Sequence, residues 1–210
     1  MKTEELYKER ILAAAEDRLL TRGYSRMSVD DLTLSLGMSK KTFYKVFETK
    51  EEMLEAVVER VTAGVGREIH AITGSDRNFL EKLGALMAFL ATVYRKVDSL
   101  LSEDIHRHFP ALWQKIAEFR RQKIQENFSV LINQGIAEGH IRQDLNQKVF
   151  MMAFLAAIET IVRPHILFDE PLSARDAMGQ ILNLFFAGAL TDRGRSELHN
   201  VLTHSPSLPR

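Results

Sequence analysis

The sequence predicts an all-α fold, and three observations carry this prediction. Apolar residues recur at intervals of three and four rather than two along most of the 210 residues. Capping residues such as Ser28 and Thr49, with glycines and prolines, divide the chain into helix-length segments. Apolar residues make up 45% of the chain, so a sizeable core can be buried. We expect a three-helix N-terminal domain (1–48), a larger helical domain (49–203) and a disordered tail (204–210).

The first helix is predicted from about Thr3 to Arg22. Gly23 follows it, at a position where a helix commonly ends in a left-handed backbone conformation. Four apolar residues share the inward face of this helix: Ile11, Leu12, Ala15 and Leu19. The first helix is therefore expected to pack against the elements that follow it.

Residues 28–52 contain the most informative pattern in the chain. Ser28 and Asp31 have the spacing of a capping box at the start of a second helix. Gly37 stands where a chain leaving a helix often needs a positive φ, and Ser39 is a good N-cap for a third helix. A helix, a tight glycine-containing turn and a second helix form the arrangement that places a recognition helix in the DNA major groove.

The third helix has an apolar face and a cationic face. Phe43 and Phe47 are four residues apart and are expected to face inward. Net charge is zero, with 28 basic and 28 acidic residues, so any attraction for DNA must be local. We expect DNA contacts from the recognition helix and its flanks, at Ser28, Ser39, Lys40, Lys41, Thr42, Tyr44, Lys45 and Lys50. The alternative is an ordinary surface hairpin whose lysines are merely solvated.

Residues 10–54 resemble the N-terminal domain of the TetR family of bacterial transcriptional regulators. The matching segments are Ile11-Leu12-Ala13-Ala14-Ala15, Gly23-Tyr24, Ser28-Val29-Asp30-Asp31-Leu32, Leu36-Gly37-Met38-Ser39-Lys40-Lys41-Thr42-Phe43-Tyr44-Lys45-Val46-Phe47 and Lys50-Glu51-Glu52-Met53-Leu54. Position 41 departs from the family, which often has a small residue where this chain has Lys41. The resemblance implies a homodimer that binds double-stranded DNA at a palindromic operator. It also implies repression that ends when a small-molecule effector binds the C-terminal domain.

The remainder of the chain is predicted to form further helices. Their expected ranges are about 50–72, 79–97, 100–108, 110–138, 147–163 and a last helix at 174–190. Gly64 and Gly66 interrupt the first of these, and close packing is favoured there over a hinge. Pro110 suits the first turn of its helix, and Pro164 should stop the helix before it.

The last two predicted helices carry small and surplus apolar residues. We expect a subunit-pairing face there, because apolar surface beyond one core stripe marks an interface. The residues assigned to it are Ala153, Ala157, Leu182, Phe185 and Phe186. The resemblance adds that TetR-like proteins pair their last two helices across a twofold axis. The alternative is a fully internal core helix.

Polar groups on otherwise apolar helices are candidates for an effector site. Glu159 and Arg163 are spaced as an ion pair and could anchor a ligand, with Tyr94, Trp113 and Met151 along the same wall. Each of these residues is more often plain core.

A metal site is not expected. Glu103, His106 and His108 include one Glu-x-x-His, but a di-metal bundle needs two such motifs.

Enzymatic function is not indicated either, because the chain contains no phosphate-binding loop and no nucleophile-elbow motif. We expect no cofactor and no membrane span, and the absence of cysteine fits a cytoplasmic protein. The charged N-terminus does not resemble a signal peptide. A helical enzyme, or a protein-interaction module without specific DNA binding, is the alternative to a DNA-binding regulator.

Overall fold

A computed structural model describes residues 2–97, 100–162 and 173–204. These residues form ten helices and no strand: α1 Lys2–Arg22, α2 Val29–Ser35, α3 Lys40–Val46, α4 Lys50–Thr73, α5 Phe79–Val97, α6 Leu100–His108, α7 Pro110–Ala137, α8 Gln147–Ile161, α9 Ala174–Ala189 and α10 Asp192–His204. The predicted all-α fold is thus confirmed. Within the described part of the chain, no helix is both long and apolar enough to cross a membrane.

The chain forms two compact units that divide it differently from the expected boundary at residue 48. The first unit comprises Met1–Gly64 and Ser99–Ile116, and the second comprises Val65–Asp98 and Ala117–Arg210. The boundary therefore falls inside α4 rather than before it. Sequence periodicity could not locate it, because one continuous amphipathic helix belongs to both units.

The core of the first unit is built from α1, α2, α3, the first half of α4, α6 and the start of α7. The helix α1 packs against α2, α3 and α6. All four predicted inward residues of α1 are buried. The later segment contributes Leu101, Ile105 and Leu112 to the same core. Gly23 has a φ of 78°, which confirms the left-handed end of α1.

The core of the second unit lies among α5, α7, α8, α9 and α10. The helix α5 packs against α9 and α10, and α9 packs against α8. Gly66 is closely packed, because a Cβ there would lie 3.2 Å from Cζ of Phe119. This contact supports the expected close packing at Gly66.

Helix α10 was not predicted. Its sequence is mostly polar and has few apolar residues, although Leu198 reaches the core of the second unit. The helix at 174–190 is therefore not the last one. His204 ends α10 rather than beginning a tail, while residues 205–210, Arg163 and Pro164 lie outside the described residues.

Candidate nucleic-acid interface

Side-chain caps fix the frame of α2 and α3. Ser28 Oγ accepts a hydrogen bond from the backbone N–H of Asp31 at 3.0 Å. The same hydroxyl donates to the Asp31 carboxylate at 2.7 Å, so the acid binds the hydroxyl rather than the backbone that a capping box would use. Gly37 has a φ of 62°, as the turn between the helices requires. Ser39 Oγ accepts from the backbone N–H of Thr42 at 3.1 Å and caps α3.

Two aromatic side chains hold α3 on the core. Phe43 is fully buried and Phe47 is 2% exposed, with their ring centroids 5.9 Å apart. Phe43 lies within α3 and Phe47 is its C-cap, so burying these two rings turns the opposite face of α3 outward. The predicted inward positions are confirmed.

Two arginines of α1 bind the backbone of α2 and its C-cap, which sequence reasoning missed. Arg10 Nη2 donates to the carbonyl of Leu36 at 2.8 Å, and Arg18 Nη1 donates to the carbonyl of Asp31 at 3.1 Å. The first bond satisfies a carbonyl at the C-terminal end of α2, which has no partner within the helix. The sequence carries no signal for these hydrogen bonds, because both arginines could equally have been solvated.

The outward face of α3 is cationic and partly aromatic. Lys41 and Lys45 are exposed, and within the described residues neither has a hydrogen-bond or ion-pair partner. Tyr44 is 51% exposed, and its ring stands edge-on to that of Phe43. Lys40 differs, because its Nζ lies 2.6 Å from Asp30, and this hydrogen-bonded ion pair raises the pKa of Lys40.

Lys50, a predicted phosphate contact, is bound within the protein in this structure. Its Nζ donates to the carbonyl of Tyr24 at 2.7 Å and lies 3.8 Å from the centroid of the Tyr24 ring. Burial lowers the pKa of Lys50. Tyr24 also hydrogen-bonds Glu51, and burial together with that bond raises the Tyr24 pKa. Lys50 therefore stabilises the loop after α1.

The same loop is bound by α6. Asp104 accepts from the backbone N–H of Ser25 at 2.9 Å and from its hydroxyl at 2.7 Å. Burial acts to raise the pKa of Asp104, but these hydrogen bonds from the loop outweigh it and the pKa is lowered. The ring of Tyr24 stands edge-on to that of Phe109, with centroids 4.8 Å apart. The loop between α1 and α2 is thus fixed on two sides.

Two of the three residues considered for a metal, Glu103 and His106, are engaged in other contacts. Glu103 pairs with Arg107 at 2.8 Å, and the ring of His106 stands edge-on to that of Trp113 at 5.2 Å. No group of three or more His, Asp or Glu side chains that could hold a metal occurs in the described residues.

The four predicted ligand residues do not form one cluster. Tyr94 and Met151 belong to the core of the second unit, whereas Trp113 packs against the core of the first unit. Glu159 accepts hydrogen bonds from Arg121 at 2.7 and 3.0 Å. The single wall predicted for these residues is therefore wrong for Trp113, since one amphipathic pattern along α7 contributes to two cores.

The predicted pairing residues also separate. Leu182 and Phe186 are buried in the core of their own unit, which accounts for the surplus apolar residues and corrects their assignment to an interface. Phe185 packs edge-on against two rings of α8. Ala153 is exposed and Ala157 is half-buried.

Three packed helices with a capped glycine turn and a cationic outward face define a helix-turn-helix protein. Residues 11–57 match the model of the bacterial regulatory proteins of the tetR family. The chain is 24% identical over 190 residues to the uncharacterized HTH-type transcriptional regulator YvaF of Bacillus subtilis, covering 88% of this chain and 96% of that one. It is also 24% identical to the HTH-type transcriptional repressor KstR2 of Mycolicibacterium smegmatis, covering 89% and 92% of the two chains.

A solved structure shares the fold over most of the chain. The crystal structure of a transcriptional regulator from Cytophaga hutchinsonii matches with a TM-score of 0.70 at 18% identity, covering 87% of this chain and 98% of that one. Residues 11–57 are thus a DNA-binding domain of the tetR type, and the protein is a DNA-binding transcriptional regulator similar to the members of that family.

Proposed function

We propose that this regulator is a repressor that binds a palindromic operator as a homodimer and leaves it when a small molecule binds the second unit. The observation that carries the proposal is the outward face of α3. Lys41, Tyr44 and Lys45 are exposed there on a helix whose other face is fixed by Phe43 and Phe47. A rigid helix that presents lysines and a tyrosine is suited to phosphate and base-edge contacts.

The structure supports different roles for the predicted contact residues. Lys41 and Lys45 carry charge that is unpaired within the described residues and are the main phosphate or base ligands in this proposal. Lys40 can contribute after its exposed bond to Asp30 rearranges. The side chains of Ser39 and Thr42 lie 2.9 Å apart at the start of α3, where backbone N–H groups favour a phosphate. Ser28 caps α2 and adds a second such terminus.

The dimer is proposed to form through an exposed apolar face on α8 and α9. Val149 and Met152 on α8 are each 61% exposed, and Leu184 on α9 is 74% exposed. The exposed Ala153 lies on the same helix as the first two. A twofold pairing of this face would give the protein two recognition helices, which is the symmetry that a palindromic operator requires.

The effector is proposed to bind in the second unit. Leu86, Met87, Leu90, Ile124 and Met151 pack against its core but are only partly buried. Every residue from 85 to 91 on α5 is intermediate in burial, neither fully enclosed nor fully exposed. An apolar, incompletely closed interior of this kind is the usual environment of a small-molecule site.

The test is selection of binding sites from a randomised duplex library by the purified protein. We expect an enriched palindrome whose half-sites are separated by about one helical turn or a multiple of it. Tyr44→Ala should weaken binding to the selected duplex in an anisotropy titration. Tyr44→Phe, which keeps the ring against Phe43, separates loss of the hydroxyl from loss of packing. A library that yields no enriched sequence would overturn the proposal.

A further inference from the structure

Arg120 on α7 differs from the cations near it. Arg121 pairs with Glu159, and Lys123 pairs with Glu126 at 2.6 Å. Arg120 is half-buried, its Nε atom is fully buried without a hydrogen-bond partner, and it makes no ion pair within the described residues. Buried charged groups in folded proteins are almost always paired, because the unpaired state is costly.

Its neighbours on the helix determine where the Arg120 side chain is directed. Successive residues of an α-helix are about 100° apart around the axis. Phe119 contacts Gly66 of α4, while Arg121 contacts Glu159 of α8. Arg120 lies midway between these two directions. Ile124, one turn further along, shares its side of the helix and packs against the core of the second unit. Arg120 is therefore directed towards that core.

The core towards which Arg120 is directed is apolar. The core that Ile124 joins includes Leu86, Met87 and Leu90 of α5 and Met151 of α8, all of them partly buried. A guanidinium presents a planar fork of N–H donors that matches a carboxylate or a phosphate in two parallel hydrogen bonds. A cation directed towards an apolar, partly exposed core matches a ligand with an anionic group and an apolar body.

We propose that the effector of this regulator is an anionic amphiphile whose carboxylate or phosphate group pairs with Arg120. The inference rests on the proposed effector site in the second unit and adds the chemical class of its ligand. The apolar body of the ligand lies against the partly buried side chains of α5 and α8. Charge on the head group, and not chain length alone, is what selects the ligand.

The test is isothermal titration calorimetry of the full chain, without DNA, against matched probes. The probes are octanoate, dodecanoate and hexadecanoate, their monoalkyl phosphates and their alcohols, each below its micellar concentration. We expect at least one chain length at which an anion binds about tenfold or more tightly than the alcohol, as a charged hydrogen-bonded pair provides. The carboxylate and phosphate arms distinguish the two head groups.

Variants assign the preference to one side chain. Arg120→Gln should abolish the preference for the anion, and Arg120→Lys, which keeps the charge without the fork, should reduce it. Lys123→Gln is the matched control on the same helix and should leave it unchanged. Circular dichroism checks folding, and if Arg120→Gln does not fold, the Arg120→Lys comparison decides.

Two results would overturn the proposal. One is equal affinity of the wild-type protein for anion and alcohol, or no binding, at every chain length. The other is a folded Arg120→Gln protein that keeps the preference for the anion. Because calorimetry contains no DNA, its outcome is separate from the site selection that tests the proposed function.

Discussion

The salt dependence of operator binding should separate the lysines of α3 by their partners. Lys41 and Lys45 are exposed and unpaired within the described residues, whereas Lys40 is paired with Asp30 at 2.6 Å. An unpaired lysine that neutralises a phosphate releases a counterion on binding. A lysine already paired with a carboxylate contributes less, since the acid partly neutralises its charge. Lys41→Gln and Lys45→Gln should therefore change the salt dependence more than Lys40→Gln.

The size of the effect follows from the number of contacts. Each phosphate contact contributes about 0.9 to the slope of log affinity against log salt concentration. A dimer that loses one lysine from each subunit should have a slope shallower by about 1.8. When the salt concentration is raised from 50 to 200 mM, the factor by which operator binding weakens should then be about 12 times smaller for the variant than for the wild-type protein.

The assay is fluorescence anisotropy with the selected duplex at four salt concentrations. Asp30→Asn, which removes the acidic partner of Lys40, should steepen the slope and is the complementary variant. Wild-type slopes for both Lys41→Gln and Lys45→Gln would refute the assignment of this face to DNA.

Three further predictions concern packing, the loop after α1 and the pairing face. Gly135→Ala should lower the free energy of unfolding in urea by about 1–2 kcal/mol, because the new methyl group would lie 2.6 Å from a core side chain and this overpacking exceeds the gain in helix propensity. The control is Gly179→Ala, whose methyl group would have nothing within 4 Å and which should raise the free energy of unfolding by about 0.5–1 kcal/mol. Equal effects of the two variants would contradict the close packing at Gly135. Asp104→Asn should lower the same free energy by about 1–2 kcal/mol at pH 7. The folded-state pKa of Asp104 lies below its usual value of 3.8, so the stability difference between the wild-type protein and Asp104→Asn should be fully present above pH 3.8 and should shrink as the pH falls through the folded-state pKa. A stability difference that grows in acid would exclude the hydrogen bonds from Ser25 as its cause. Leu184→Glu should be a monomer by light scattering at micromolar concentration. The control is Val130→Glu, at an exposed position on α7, which should remain a dimer. A dimeric Leu184→Glu protein would contradict the proposed pairing face.

Local signals in the sequence were sufficient to predict the helix-turn-helix. Caps at Ser28 and Ser39, the left-handed Gly37 and the inward pair of phenylalanines all depend on residues within a few positions of one another. Such signals report local backbone geometry directly, which is why the bounds of α2 and α3 could be anticipated.

Long-range partners could not be predicted in the same way. The hydrogen bonds of Lys50 to Tyr24 and of Ser25 to Asp104 join residues 26 and 79 positions apart. An exposed lysine and a lysine that fixes a loop look identical in a helical pattern. The apolar residues Leu182, Phe185 and Phe186 of α9 suggest an interface from the sequence alone, because a sequence does not show that α5 and α8 already pack against this helix. Arg120 did leave a signal, as one charge within the apolar stripe of α7.

The second segment of the first unit has a consequence for protein engineering. Leu101, Ile105 and Leu112 belong to the same buried cluster as the recognition helix, although they follow it by more than fifty positions. A chimera that transplants residues 1–64 alone onto another regulator would lose these three side chains, each contributing roughly 1.5–3 kcal/mol of burial. Recombination that transfers the DNA specificity of this protein must therefore exchange two stretches of the gene together.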